Sequence, residues 1–516
     1  MTEAKDINSG KSARIAKNTV FLYIRMLALI IVGFYSSRVV LRALGFVDYG
    51  LFNAVGSVVT LSTILTTSVT NAIMRYMSFA LGEDDKEKLR NVFSSSVIIQ
   101  LTMCAVVILA VETAGLWYLN NAMKIPPSRL GAANWVLQCS TGVLCLSILS
   151  IPFNALILSR EKMSAFAFIS LGEAGLKLAV ALSLTCPVPD KLKLYSVLLL
   201  VVAIIVRMTY GLYCRKHFEE SRGRLRLDKS LLREMLGFAG WNIMSTSTSM
   251  LTTSGVNILV PQFYDLVVSA ARGISTQVEG IVRQFASNFL MALNPQLIKS
   301  YAEGDKEYSF ELTRKGVKIA YLLILLFVVP IALDCDYLLG LWLKEVPPLA
   351  PSFLRVALLA ILVDLGFNSP RQLLIASGKV KRFFIAMGCV NLLCFAVSWA
   401  LFACGAPAIS SYYALLCAQV VIDGVCLWLC SRQEGLPAWR FLKDVVFRLL
   451  ALTALSFGIS YLAWRAMPES FWRLVAVTAV SSLSTGAGAM FFVLDKGERA
   501  FVTNALLKFL KPSKNA

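Results

Sequence analysis

Arg272, Glu279 and Arg283 stand in one long apolar stretch at spacings of seven and four residues. On a helix that spacing lines all three along one face. An ionisable side chain at membrane depth is costly and usually faces a cavity or a partner. A guanidinium offers a planar fork that grips phosphate oxygens two at a time. Three more arginines lie in apolar surroundings, Arg25 and Arg38 in the first such stretch and Arg75 in the second. A dense run of hydroxyls and amides leads from Asn242 through Ser245, Thr248 and Thr252 to Asn257, and a similar run occupies residues 57–71. Five arginines against Glu279 make a net cationic set, and the hydroxyl and amide groups match sugar hydroxyls. The substrate-binding candidates are therefore Arg25, Arg38, Arg75, Arg272, Arg283, Glu279, Asn242 and Asn257, and the solute they suit is anionic and rich in hydroxyls. Asp364, Asp423 and Glu279 are the acids positioned to carry a coupling ion.

Each of these residues also has a plainer reading. Arg38 and Arg75 lie near the ends of their stretches, where a long side chain reaches the headgroups. Glu279 and Arg283 are four apart and form a structural pair as readily as a site, as do Glu173 and Lys177. Serine and threonine in membrane helices often bond their own backbone or pack helices.

Other chemistry is excluded by what the chain lacks. His217 is the sole histidine and the 12 cysteines form no CxxC pair, so neither a His-based triad nor a Cys/His metal cluster is expected. No Walker-type phosphate loop or nucleotide-sugar motif is present. No cofactor is expected. The formal net charge of +19 would suggest nucleic acid in a soluble protein, but with no recognition motif it reads as the basic cytoplasmic loops of a membrane protein.

The elements that must position these groups follow from hydropathy. Of 516 residues, 57% are hydrophobic and only 16% charged, with a mean hydropathy of +0.68. The apolar residues fall in continuous runs of about 20 or more, the length that crosses a bilayer as a helix. Such runs cover residues 18–43, 49–80, 91–117, 130–158, 163–186, 192–214, 237–263, 267–298, 316–340, 350–376, 383–403, 408–430, 443–466 and 471–494. The fold class is all-α and polytopic, with about fourteen transmembrane helices. With both termini cytoplasmic, about 30 Lys and Arg fall in inside segments against about 8 outside, a strong positive-inside bias. The outer loops are short and leave no room for a catalytic domain. A basic linker at 215–236 divides a six-helix lobe (1–214) from a second (237–430), and residues 431–516 add two helices and a tail. Phe79-Ala-Leu-Gly-Glu-Asp-Asp-Lys-Glu87 and Tyr301-Ala-Glu-Gly-Asp-Lys-Glu307 close the second and eighth segments in similar ways. Two six-helix lobes of one orientation imply parallel repeats about a pseudo-two-fold axis normal to the membrane, with the polar first and second segments facing the seventh and eighth across a wet cavity.

Several stretches carry a family likeness. Ala270-Ala-Arg-Gly-Ile-Ser-Thr-Gln-Val278 followed by Asn294-Pro-Gln-Leu-Ile-Lys-Ser-Tyr301 resembles the O-antigen and lipopolysaccharide flippases of the polysaccharide transporter family. So do Arg38-Val-Val-Leu-Arg-Ala-Leu-Gly-Phe-Val-Asp-Tyr-Gly50, Ser159-Arg-Glu-Lys-Met-Ser-Ala-Phe-Ala167, Gly237-Phe-Ala-Gly-Trp-Asn242 and Asn368-Ser-Pro-Arg371. The likeness spans residues 15–445. It implies membership of the multidrug, oligosaccharidyl-lipid and polysaccharide exporter superfamily, a V-shaped pair of lobes working by alternating access, and an isoprenoid pyrophosphate-linked oligosaccharide as cargo. It also implies that Arg25, Arg38, Arg272 and Arg283 serve as cavity cations. The partners it implies are the lipid bilayer, a polysaccharide polymerase and a chain-length regulator. The location is the bacterial cytoplasmic membrane and the unit a functional monomer. Lipid-II flippases, a sister group, share the two extra C-terminal helices. The alternatives are a lipid-II flippase, a multidrug cation exporter, against which the two arginines and no acid of the first segment argue, and a membrane polysaccharide polymerase.

Overall fold

Asp85 and Asp305 open two helices in the same way. Each carboxylate accepts a hydrogen bond from the backbone N–H three residues on, Lys88 at 2.9 Å and Tyr308 at 3.0 Å, which satisfies one of the orphan donors at a helix start. Each is followed by Lys-Glu, so the two loops matched in sequence end in the same cap. The computed structural model describes residues 2–61, 73, 76–77, 80–81, 85–160, 162–222, 250–495 and 497–499. Within these, the side chains of 2–26, 60–61, 163, 251, 286–296, 298–299 and 302 are not described.

The protein is a multi-pass, all-helical membrane protein. Among the described residues there is no strand, and eleven helices are long and apolar enough to cross a membrane. Large apolar side chains stand exposed along them, among them Leu109, Phe168, Leu393 and Phe491. A water-facing surface rarely carries so much contiguous apolar area, whereas lipid is its natural solvent. The chain divides into two compact units, Met1–Gly273 and Ile274–Ala516. The sequence placed its division in the linker at 215–236, of which residues 223–236 lie outside the described residues.

The first unit holds α1 (Thr2–Leu61), α2 (Lys86–Ala110), α3 (Leu130–Ser159), α4 (Met163–Ser183), α5 (Lys191–His217), α6 (Val256–Phe263) and the start of α7 (Leu266–Ala302). Helix α1 takes in the first apolar segment and the start of the second, bending between them at Gly45, whose φ of 76° and ψ of 175° are non-helical and suit a residue without Cβ. Helix α3 packs along α5, and α1 along α4. The core between them is aliphatic and aromatic, with Val55, Leu137, Leu156 and Ile157 fully enclosed. Asp48, just past the Gly45 bend, pairs with Arg129 at the start of α3, and Asp190, the N-cap of α5, lies 3.7 Å from the same guanidinium. One arginine thus gathers three helix ends. At the other end Arg160, after α3, pairs with Glu220, after α5.

The second unit continues α7 and adds α8 (Lys306–Leu333), α9 (Ala350–Gly366), α10 (Asn368–Ser377), α11 (Lys381–Ala403), α12 (Ser410–Glu434), α13 (Phe447–Ala466) and α14 (Phe471–Gly488). A break before Asn368-Ser-Pro370 separates α9 from α10, with Phe367 at φ −100° and ψ 22°. Helix α8 packs on α9, α9 on α12, and α11 on α12. The trailing pair, α13 and α14, meets through small polar residues: Ser456 lies 2.7 Å from Thr485 and 3.0 Å from Ser484. Such residues let membrane helices approach closely. Two buried ion pairs fasten α14 to α8. Arg473 at the start of α14 bonds Asp334 at the end of α8, at 2.8 and 2.6 Å. Lys318 in α8 reaches Asp495 at 2.8 Å and Glu498 at 3.1 Å, just beyond α14.

Candidate functional site

In the first unit, Arg272 and Asn257 come together as the sequence run suggested. The guanidinium Nε of Arg272 donates to the Asn257 side-chain oxygen, and Arg272 is buried. The register is set by two glycines. Gly50 of α1 lies against the backbone of α7, so a Cβ there would stand 1.9 Å from the Leu266 carbonyl oxygen, and a Cβ at Gly273 would meet the Asn53 side chain at 2.7 Å. This close approach brings the start of α7, and Arg272 with it, onto the second arm of α1. Arg38 is half-buried on the first arm.

In the second unit the candidates assemble into a chain of alternating charge. Arg283 on α7 bonds Asp364 on α9. The other oxygen of Asp364 accepts from Arg371 on α10 at 2.7 Å, and Arg371 reaches on to Asp423 on α12 at 2.6 Å. Gln419, one turn before Asp423, lies 3.5 Å from its second oxygen. The break at Phe367 lets α9 and α10 offer Asp364 and Arg371 to one another across a discontinuity in the helix. Glu279, one turn before Arg283, accepts from the Tyr412 hydroxyl at 3.3 Å. Beside Asp423 lies an apolar pocket of about 260 Å³, lined by Tyr321, Phe367, Phe441 and Leu450 among others.

The structure therefore brings Arg272 to Asn257, and Arg283 to Asp364 and, through Arg371, to Asp423. Arg25 lies in α1 with its side chain outside the described residues, and Arg75 and Asn242 fall outside them altogether. Arg371 was not singled out from the sequence. Its spacing of seven from Asp364 gave no usable signal, because the helix is broken at Phe367 between the two. Glu173 and Lys177 form the expected pair at 2.6 Å along α4. Arg207, which stood alone in the sequence, lies over the Phe153 ring at 4.0 Å.

No family model matches the sequence, and no curated protein matches it. Solved structures do. A lipid II flippase, MurJ, in an inward closed conformation, aligns over 92% of this chain and 98% of its own length, with a TM-score of 0.65 and 14% identity. An inward-facing multidrug resistance MATE family transporter of the MOP superfamily aligns over 81% of this chain and 98% of its own, with a TM-score of 0.61 and 14% identity. The eukaryotic MATE transporter AtDTX14 covers 83% of this chain and 99% of its own, at 0.56 and 14%. The chain has the polytopic fold shared by these transporters. At that identity the likeness is one of fold, and the proteins that share it are transporters rather than enzymes.

Proposed function

We propose that this protein is a flippase that carries an isoprenoid pyrophosphate-linked oligosaccharide from the inner to the outer leaflet of the bacterial cytoplasmic membrane by alternating access. The observation that carries this reading is the extent of the fold match. The MurJ structure accounts for 92% of the chain and the two MATE structures for 81% and 83%. Beyond α12 the chain has α13 and α14, and α14 is held to α8 by the buried pairs Arg473–Asp334 at its start and Lys318–Glu498 past its end. A trailing pair built in so firmly argues for a lipid-linked cargo over a small cationic drug. The chemistry agrees. Arginines at membrane depth suit a pyrophosphate, and the membrane potential, negative inside, favours outward movement of negative charge by about 2.3 kcal/mol per charge per 100 mV. The protein acts as a monomer and hands its cargo to a polymerase and a chain-length regulator.

A second cargo, lipid II, is favoured by the same match and shares the pyrophosphate chemistry. Complementation separates the two. Expression in cells lacking their surface-glycan flippase restores surface glycan under the first reading. Rescue only of cells depleted of their lipid II flippase supports the second. In either background, Arg25→Glu, Arg272→Glu and Arg283→Glu together abolish rescue while immunoblots show unchanged protein in the membrane; full rescue by the triple variant removes the cationic site.

A further inference from the structure

The second unit's charge chain has a built-in control in the first. Pro152 to Ser159 and Pro370 to Ser377 have Pro and Ser seven apart with Leu-Ile at the same places between them. The cysteine that closes each stretch also repeats. Cys214 of α5 donates to the Phe153 carbonyl at 3.7 Å, and Cys430 of α12 to the Pro370 carbonyl at 3.3 Å. Counting from the two prolines and the two cysteines, whose carbonyl acceptors differ by one residue in that register, Leu146 stands where Asp364 does, Phe153 where Arg371 does and Arg207 where Asp423 does. The first unit fills the three positions with an aliphatic side chain, a ring and a guanidinium over that ring. Helix packing of this kind therefore does not require an ion network, and the second unit's network answers another need.

Its exposure has a direction. The Asp423, Arg371 and Asp364 side chains are 12%, 15% and 19% exposed, and Arg283 is 42% exposed. The chain thus runs minus, plus, minus, plus from the interior outward and ends on an accessible cation. Asp364 gives one oxygen to Arg283 and the other to Arg371. If Arg283 leaves, Asp364 keeps its bond to Arg371, but Arg371 is then the one cation shared by Asp364 and Asp423, so the network carries one net negative charge that draws Arg283 back.

We propose that Asp364 is an internal stand-in for a phosphoryl group: it holds Arg283 until an anionic phosphate takes the guanidinium, and the released carboxylate stays bonded to Arg371, which it shares with Asp423. This rests on the reading of the cargo as a phosphorylated lipid and adds how that cargo is admitted. A diphosphate offers more charge and more acceptor oxygens than one carboxylate, so it wins Arg283 when present, and Asp364 reclaims it on release. The exchange keeps the site from staying occupied by a bare cation between cycles and makes release as easy as capture.

Binding of farnesyl pyrophosphate to the full-length protein in phosphatidylcholine nanodiscs tests the exchange. Asp364→Asn removes the internal competitor at nearly constant size and tightens binding about tenfold, a factor worth about 1.4 kcal/mol. Arg283→Gln added to it abolishes the gain. Asp364→Ser removes the same charge with a smaller side chain and gives the same result should the first variant fold poorly. Adding phosphatidylglycerol to the disc distinguishes the source: Arg283-dependent competition would support the exchange and assign it to bilayer headgroups, and no competition supports the diphosphate cargo. Neutral variants at 364 that bind no tighter than wild type, or a gain that survives Arg283→Gln, overturn the proposal. Wild-type glycolipid transport with unaltered affinity in the variants would discard the exchange alone; tighter binding without any transport would discard the flippase alone.

Discussion

Glu434 has no exposed side-chain surface, yet partners from two other segments converge on it. The Tyr301 hydroxyl donates to one of its oxygens at 2.5 Å and the Lys379 ammonium to the other at 3.1 Å. The bond to Glu434 is also what pushes the Tyr301 phenol up to about 12. Buried acids in this protein are matched in this way, and the cost of unmatching them is large. Arg473→Ala leaves Asp334 buried without its cation, and breaking a buried pair costs about 3–5 kcal/mol. The expected outcome is a thermal unfolding midpoint well below that of the wild-type protein in detergent, with an unchanged midpoint showing that the pair contributes nothing. Gly50→Ala acts through shape. A methyl group 1.9 Å from the Leu266 carbonyl oxygen cannot be accommodated without moving α1 from α7. That variant should lose about 1–3 kcal/mol, the usual range for overpacking, and lose transport with it, whereas Gly56→Ala, where a Cβ has open space, should behave as wild type. Among single residues, Arg272, Asn257 and Asp364 were legible from sequence as charged or amide groups out of place in apolar surroundings. Arg371 was hidden, because it lies beside a helix break near a basic loop, and only the fold shows that it points back to two aspartates.

At the scale of elements, hydropathy located the helices well because a spanning helix must hide every backbone polar group. It missed where elements merge or stop. Helix α1 carries two apolar segments through Gly45, since one residue with positive φ bends a helix without an intervening loop. Helix α7 is a full 37 residues long, beyond the 267–298 run at both ends, and Arg272, Glu279 and Arg283 hold its hydropathy down. The trailing helices show what sequence alone does not give. Nothing in their composition announces that α14 is bolted to α8 at both ends. The Lys318 clamp makes this testable. Its hydrogen bond holds the Asp495 carboxyl below the usual carboxylate range. A depressed folded value means the clamp stabilises at neutral pH and is lost as the pH falls through that value. Lys318→Met should remove this dependence, read as a flatter fall of unfolding temperature between neutral and acid pH, and an identical acid profile in the variant would show that the clamp plays no part.

At the scale of the molecule, the all-helical, multi-pass fold class rests on backbone hydropathy, which the sequence states openly. The cargo rests on a handful of side chains, and a side chain's partner is a property of the fold. Arg283 illustrates the difference. Its spacing from Glu279 suggested an i,i+4 pair, and it forms an ion pair with Asp364, 81 residues away. The repeated caps at Asp85 and Asp305, and the cysteine bonds at Cys214 and Cys430, are features that the two units share, whereas the Arg283–Asp364–Arg371–Asp423 network belongs to the second. A transporter that works on a phosphorylated, sugar-bearing lipid accounts for that asymmetry and for the built-in trailing pair. Reconstitution tests this most directly. Purified protein in liposomes is given a fluorescent isoprenoid pyrophosphate oligosaccharide in the inner leaflet, and arrival outside is read by cleavage with an impermeant glycosidase. The account predicts cleavage well above that of protein-free liposomes, accelerated by a membrane potential negative inside and abolished by Arg283→Glu; cleavage no faster than in protein-free liposomes, or undiminished by that substitution, would contradict it.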